Sequence, residues 1–263
     1  MWIACGWLFD LHWLLLQFAL VALPPLPPLL CGSEAVACGV LTRAQLRGTG
    51  VRRLCRDVYT ASGTRLTHEL RCRAVAMALP QGTVITGRSA ATLRGVRLCW
   101  PEDDVQVLAP LEARLGRRSG LDVRRTAIAP DEWEPWSNGR IATPLRMALD
   151  LLLARPLPDA VADLDAVLRA GKVGRAAVAQ MVAERSDNGI VLARRAVELT
   201  DPRAESLPES KMRVHLVLDG LDPCPSTGSR TPAVASPASI SRSRSTSSRS
   251  STTATGATAS RGR

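Results

Sequence analysis

The sequence predicts an α+β protein, mostly helical, ending in a stretch that is not a domain. Three observations predict this. Two short capped segments precede an Arg-rich β-forming stretch within residues 33–60. Five segments between residues 143 and 218 read as helices, three of them behind clear start signals. Residues 222–263 hold almost nothing apolar beyond Ala and Val. With 263 residues and 46% apolar composition, the remainder has enough material for a real core.

Residues 1–32 form an apolar, Pro-rich leader. Trp7 to Leu23 is an apolar run of 17 residues interrupted by Asp10, His12 and Gln17, near the lower limit of a membrane span. No Lys or Arg precedes Arg43, so the segment lacks the basic n-region of a secretory signal and a positive flank to orient a span. The expectation is a start codon assigned too early, with the chain proper opening near Leu23, Pro24 and Pro25, and a cytoplasmic location. Membrane association is the minority alternative. Seven Cys, at 5, 31, 38, 55, 72, 99 and 224, form no CxxC pair and no metal-ligand spacing with His, which argues against a zinc site and a disulfide framework.

The first folded region is expected over residues 33–80. Ser33 to Cys38 and Thr42 to Arg47 are short helices, each opened by a hydroxyl able to cap free N–H groups, and Val51 to Thr60 is a strand region. Two short helices followed by a strand ribbon is winged-helix order. Arg43, Arg47, Arg52, Arg53 and Arg56 fall in this region with no acid among them, and are the candidate DNA-binding residues. The competing explanation is a solvated face in an Arg-rich chain: the cations are 32 Arg and two Lys, a bias that GC-rich codons produce unaided. Half of the formal charge of +10 comes from the tail, where six Arg face one Asp.

Residues 81–200 are expected to be mixed and then helical. His68 to Leu79 closes the first region as a helix with Leu70, Ala74, Met77 and Ala78 on one stripe. A helix follows over Thr86 to Leu93, then strands over Val105 to Leu108 and Leu121 to Thr126. Trp133 and Trp136, beside Pro135, suggest an aromatic lid, which is packing more readily than base stacking. Thr143-Pro144 starts a helix with Leu145, Ala148, Leu149 and Leu152 on one face. Pro158 to Ala170, ended by Gly171, is the next, then Arg175 to Glu184 and Ile190 to Leu199. Asp150, Asp159, Asp163 and Asp165 read as helix-end and surface charges rather than a catalytic pair. Ser206 and Glu209 have capping-box spacing for a helix running to Leu218 and closed by Gly220.

Five stretches resemble a family of high-GC bacterial proteins joining an AbiEi-like winged-helix antitoxin region to a nuclease-like domain. They are Gly32 to Gly48, Leu66 to Pro80, Val84 to Val96, Arg140 to Leu153 and Asp201 to Leu221, and the last two are the most distinctive. The resemblance implies that residues 201–221 open a domain similar to very-short-patch-repair endonucleases, of the PD-(D/E)xK restriction-endonuclease-like type. There a first-helix Glu and acidic strand positions hold a divalent metal that activates water. Glu209 matches the first-helix acid, with Glu205 the substitute.

The strand motifs VDLAF and VEYDG that the family would place next are absent, and residues 222–263 read as a disordered Ser/Arg tail. Plausible codons for Arg249 to Gly256, read from the third base, give VEYDGDW, and Ala233 to Ser243 in the same frame allow GRVARVDLAF. A frameshift near Gly220 to Cys224 is therefore expected. Three function classes remain: an antitoxin-like DNA-binding module, a gene remnant without activity, and a metal-dependent endonuclease. The last requires acids this chain lacks, so no enzyme activity, cofactor or small-molecule substrate is expected, and a metal only in an intact nuclease. DNA is the candidate partner.

Overall fold

Strand pairing divides the fold into two sheets, and one helix lies between them. In the computed structural model the residues described are 26–113, 115 and 119–221. The leader to residue 25 and the tail from residue 222 lie outside them, as do the expectations of a mis-set start and a disordered, frameshifted tail.

The first sheet is antiparallel, in the order β1 (Leu30–Cys31), β3 (Val58–Ala61), β2 (Val51–Cys55). Between β1 and β2 lie α1 (Gly32–Ala37) and α2 (Arg43–Arg47), giving the strand, helix, helix, hairpin order of a winged helix. The strand region foreseen over residues 51–60 is thus a hairpin, turning at Arg56 and Asp57, whose φ is 62°. Its core is Leu30, Ala35, Leu41 and Val51, with Tyr59 and Leu46 packed against them.

The second sheet is mixed, in the order β6 (Leu121–Arg125), β5 (Val105–Ala109), β4 (Val84–Ile85), β8 (Gly139–Ala142), β7 (Trp133–Trp136). β5 with β6 and β4 with β8 run parallel, and the remaining pairs antiparallel. Trp133 and Trp136 are therefore not a lid. They belong to an edge strand, where Pro135 costs no ladder bond, and both pack on the core. Arg140 lies 3.8 Å over the Trp133 ring.

α3 (His68–Ala78) packs on both sheets. Its buried residues are His68, Cys72, Ala74 and Val75; Met77 of the foreseen stripe is exposed. Contacts on two sides select a face that one-sided periodicity cannot identify. His68 Nε2 pairs with Ser89 Oγ at 2.9 Å on α4 (Gly87–Leu93), and burial holds the imidazole below its usual pKa.

The helical layer follows: α5 (Pro144–Leu153), α6 (Leu157–Arg169), α7 (Arg175–Glu184), α8 (Ile190–Leu199) and α9 (Leu207–Leu218). α6 is central, packed by α5, α8 and α9, and is buried continuously over residues 160–167. This burial corrects the view of the acids as surface charges. Asp150, Asp163 and Asp165 are all inside, and each faces an arginine: Arg124 and Arg146, Arg88, and Arg213 respectively. Asp159, half-buried, is paired with Lys211 and Arg155. Among the described residues no helix is long and apolar enough to cross a membrane.

Burial pushes Asp163 up to about 6, against the pull of Arg88 and Arg155. A carboxyl raised from its ordinary 3.8 contributes stability below about pH 4 that is lost as pH rises through about 6. Asp163→Asn is expected to escape that loss. Relative to the parent, its unfolding free energy rises by about 1–2 kcal/mol between pH 5 and 7.5, read by denaturant titration at both values. A constant difference across that range would contradict the assignment.

Candidate nucleic-acid interface

The short helix α2 is held at its start by a capping box: Thr42 Oγ1 accepts from Gln45 N at 3.2 Å, and Gln45 Oε1 accepts from Thr42 N at 2.7 Å. Leu41 and Leu46 anchor it to the small core. Arg43 and Arg47, four residues apart, share one outward face. α1 starts differently from expectation. Ser33 is not its cap; instead Asp57 reaches back from the hairpin turn, its carboxylate accepting from Ser33 N at 2.9 Å and Ser33 Oγ at 2.6 Å. Those bonds and the Cys31 thiol hold Asp57 below the usual carboxylate range. The approach is close enough to require Gly32: a Cβ there would lie 2.5 Å from the Tyr59 ring.

The hairpin carries the other three candidates. Arg52 and Arg53 are successive residues of β2, opposite Thr60 and Tyr59, so their side chains leave opposite faces of the ribbon. Arg53 Nε donates to Cys55 O at 3.1 Å, across an irregularity in the pairing. Arg53 and Arg56 line a cleft against α3, together with Arg71. All five candidates, Arg43, Arg47, Arg52, Arg53 and Arg56, are exposed. The structure thus gathers Arg43 with Arg47, and Arg53 with Arg56, while Arg52 and Arg53 diverge.

Among the described residues none of the five forms an ion pair, whereas Arg88, Arg94, Arg124, Arg146, Arg185 and Arg213 of the body do. There, Arg146, only 2% exposed, lies between Glu132 and Asp150. Asp150 also meets Arg124 and accepts from Thr86 Oγ1 at 2.5 Å; Glu132 also meets Arg185 at 2.8 Å, which binds Asp187. Burial pushes the Asp150 carboxyl up, and the two guanidinium groups oppose it. The network joins β6, α5, the turn before β7 and the α7–α8 loop, and its charges are spent on one another. It is a brace in the fold.

Glu209 occupies the first turn of α9. Ser206 Oγ accepts from Glu209 N at 3.3 Å, and Glu209 Oε2 accepts from Glu205 N at 2.8 Å. The reciprocal bond of the foreseen capping box therefore falls one residue earlier. α9 is pinned to α6 by Arg213 on Asp165 and by Val214 in the core. Among the described residues no group of His, Cys, Asp or Glu is placed to hold a metal ion. Ser206→Ala is expected to cost about 1 kcal/mol and Glu209→Gln at most about 0.5 kcal/mol in chemical denaturation. A larger loss for Glu209→Gln would indicate a role beyond the cap.

No family model matches the chain. It is similar to two proteins of Mycobacterium tuberculosis, uncharacterized protein MT2308 of strain CDC 1551 / Oshkosh and uncharacterized protein Rv2248 of strain ATCC 25618 / H37Rv. Each is 37% identical over 128 residues, which is 48% of this chain and 40% of the relative. The match thus covers well under half the length of those proteins. Among solved structures, that of the RV2827C protein from Mycobacterium tuberculosis aligns over 70% of this chain and 74% of its own, at 14% identity and a TM-score of 0.45.

Proposed function

We propose that the chain is a DNA-binding protein of antitoxin-like type, acting in the cytoplasm, with its contact surface on α2 and the β2–β3 hairpin. The observation that carries this reading is the segregation of charge. Among the described residues Arg43, Arg47, Arg52, Arg53 and Arg56 are exposed and outside any ion pair, on a small unit of winged-helix order, whereas Arg88, Arg124, Arg146 and Arg213 of the body are held by buried acids. Exposed guanidinium groups outside ion pairs are available to phosphates and release condensed counterions on binding. Phosphate contacts position a protein without reading bases, so the expected binding is weak and poor in sequence preference. The resemblance to AbiEi-like regions supports the antitoxin-like part of the reading. No hydrolytic role is assigned to Glu209, whose carboxylate is engaged at the start of α9.

The test is a fluorescence-anisotropy titration with a labelled duplex, on the chain ending at Leu221 so that the six tail arginines do not contribute. Arg43→Ala with Arg47→Ala is expected to weaken binding about tenfold at 50 mM salt. Absence of any binding by the parent would favour a remnant without activity.

A further inference from the structure

The cleft between the hairpin and α3 has a volume of about 460 Å³, within the range of small-molecule sites. Arg53, Arg56 and Arg71 line it beside Leu54, Val75 and Leu79, and no Asp or Glu is among its lining residues. Two of the three guanidinium groups are held at the wall by carbonyl oxygens. Arg71 Nη1 donates to Pro101 O at 2.8 Å, and its Nη2 lies 2.7 Å from where a Cβ on Gly120 would be, so only glycine admits that placement. Arg53 is tethered through Nε to Cys55 O, which leaves its terminal nitrogens to the cleft. Asp57, whose carboxylate accepts from Ser33 and Cys31, faces Arg53 electrostatically but is not among the lining residues.

A larger cleft of about 760 Å³ near β6 offers the instructive contrast. It also holds three arginines, Arg88, Arg125 and Arg155, but three Asp share its wall, and Arg88 and Arg155 are already paired with Asp163 and Asp159. Its charges are balanced from within. In the smaller cleft, three cations sit beside an apolar floor with no acid among the described lining residues.

We propose that this cleft binds a small amphipathic organic anion, an aromatic or aliphatic body seated on Leu54, Val75 and Leu79 with a carboxylate held by the arginines. A carboxylate suits the planar fork of a guanidinium, which donates to it bidentately. The apolar body supplies the burial that a bare inorganic anion lacks. Arg53 and Arg56 also belong to the DNA-contact set, so the anion and the phosphate backbone draw on the same groups, and occupancy of the cleft weakens DNA binding. That coupling rests on the DNA reading; the site itself does not.

The experiment titrates the full chain, without DNA, with 2-naphthoate by calorimetry. The expected result is saturable binding at one site with a Kd of about 0.1 mM. The neutral 2-naphthamide, and the parent ligand on an Arg53→Gln, Arg56→Gln variant, bind at least about tenfold more weakly. Ala78→Leu, which fills the cleft while keeping every guanidinium group, has the same effect. Equal affinity for naphthoate and naphthamide, unchanged binding by both variants, or no saturable binding would overturn the site. With the site established, a duplex bound as tightly at saturating 2-naphthoate as without it would overturn the coupling.

Discussion

Replacing Arg146 with Met is expected to cost the fold about 3–5 kcal/mol, lowering Tm by about 6–20 °C. The side chain is 2% exposed and serves two acids at once, Glu132 through Nη1 and Asp150 through Nε. Met keeps most of the packing volume and removes the charge. Asp150 then depends on Arg124, whose side chain is 33% exposed and correspondingly screened, and Glu132 on Arg185, which is shared with Asp187. The large term is therefore the acid left buried with too little opposing charge, not the intrinsic worth of the ion pair. A second substitution separates the two. Asp150→Asn in the Met background removes the stranded charge and should recover on the order of 1–2 kcal/mol, whereas independent effects would add. Equilibrium denaturation of the two single variants and the double variant reads both numbers. A loss below about 1 kcal/mol for Arg146→Met would show that the network braces nothing.

That network was partly legible in the sequence. Arg146 and Asp150 are four apart in a helix whose start at Thr143-Pro144 is plain, so their pairing follows from spacing. What spacing does not show is depth. Asp163 and Asp165 lie on opposite sides of α6, and an acid beside apolar residues looks like the polar stripe of a surface helix until a partner covers that side too. α6 is covered all round by α5, α8, α9 and the neighbouring sheet residues, which is a property of the assembly. The apolar neighbours of Asp163 and Asp165 in Ala160 to Val167 were the available signal that no face of this helix is solvent.

Three helices of the second half were otherwise clear because they carry their own punctuation: Thr143-Pro144, Gly171 at a φ of 64°, and Ser206 before Glu209. The sheet was not. β4 is two residues, Val84 and Ile85, both fully covered, and β8 is four, so neither has room for alternation. Yet β4 and β8 sit at the centre of the five-stranded sheet, where the order β6-β5-β4-β8-β7 is set by pairing between distant segments. Of the candidate site, the arginines and their winged-helix order were readable. The divergence of Arg52 and Arg53 was not, since it required knowing that residues 51–55 are one strand of a hairpin.

The second large effect follows from that divergence. Five phosphate contacts would give a slope of log K against log salt near −4.5, but if Arg52 and Arg53 cannot face one duplex together the ceiling is about four contacts and about −3.6. Raising salt from 50 to 200 mM should then weaken binding on the order of a hundredfold. The decisive measurement is this slope for the chain ending at Leu221 and its Arg52→Ala, Arg53→Ala double variant, across that salt range. DNA contact through α2 and the hairpin predicts a parent slope between about −2.5 and −3.6, flattened by about 0.9 in the double variant because one of the two arginines is engaged. A parent slope near zero, or one that the double variant leaves unchanged, would contradict it.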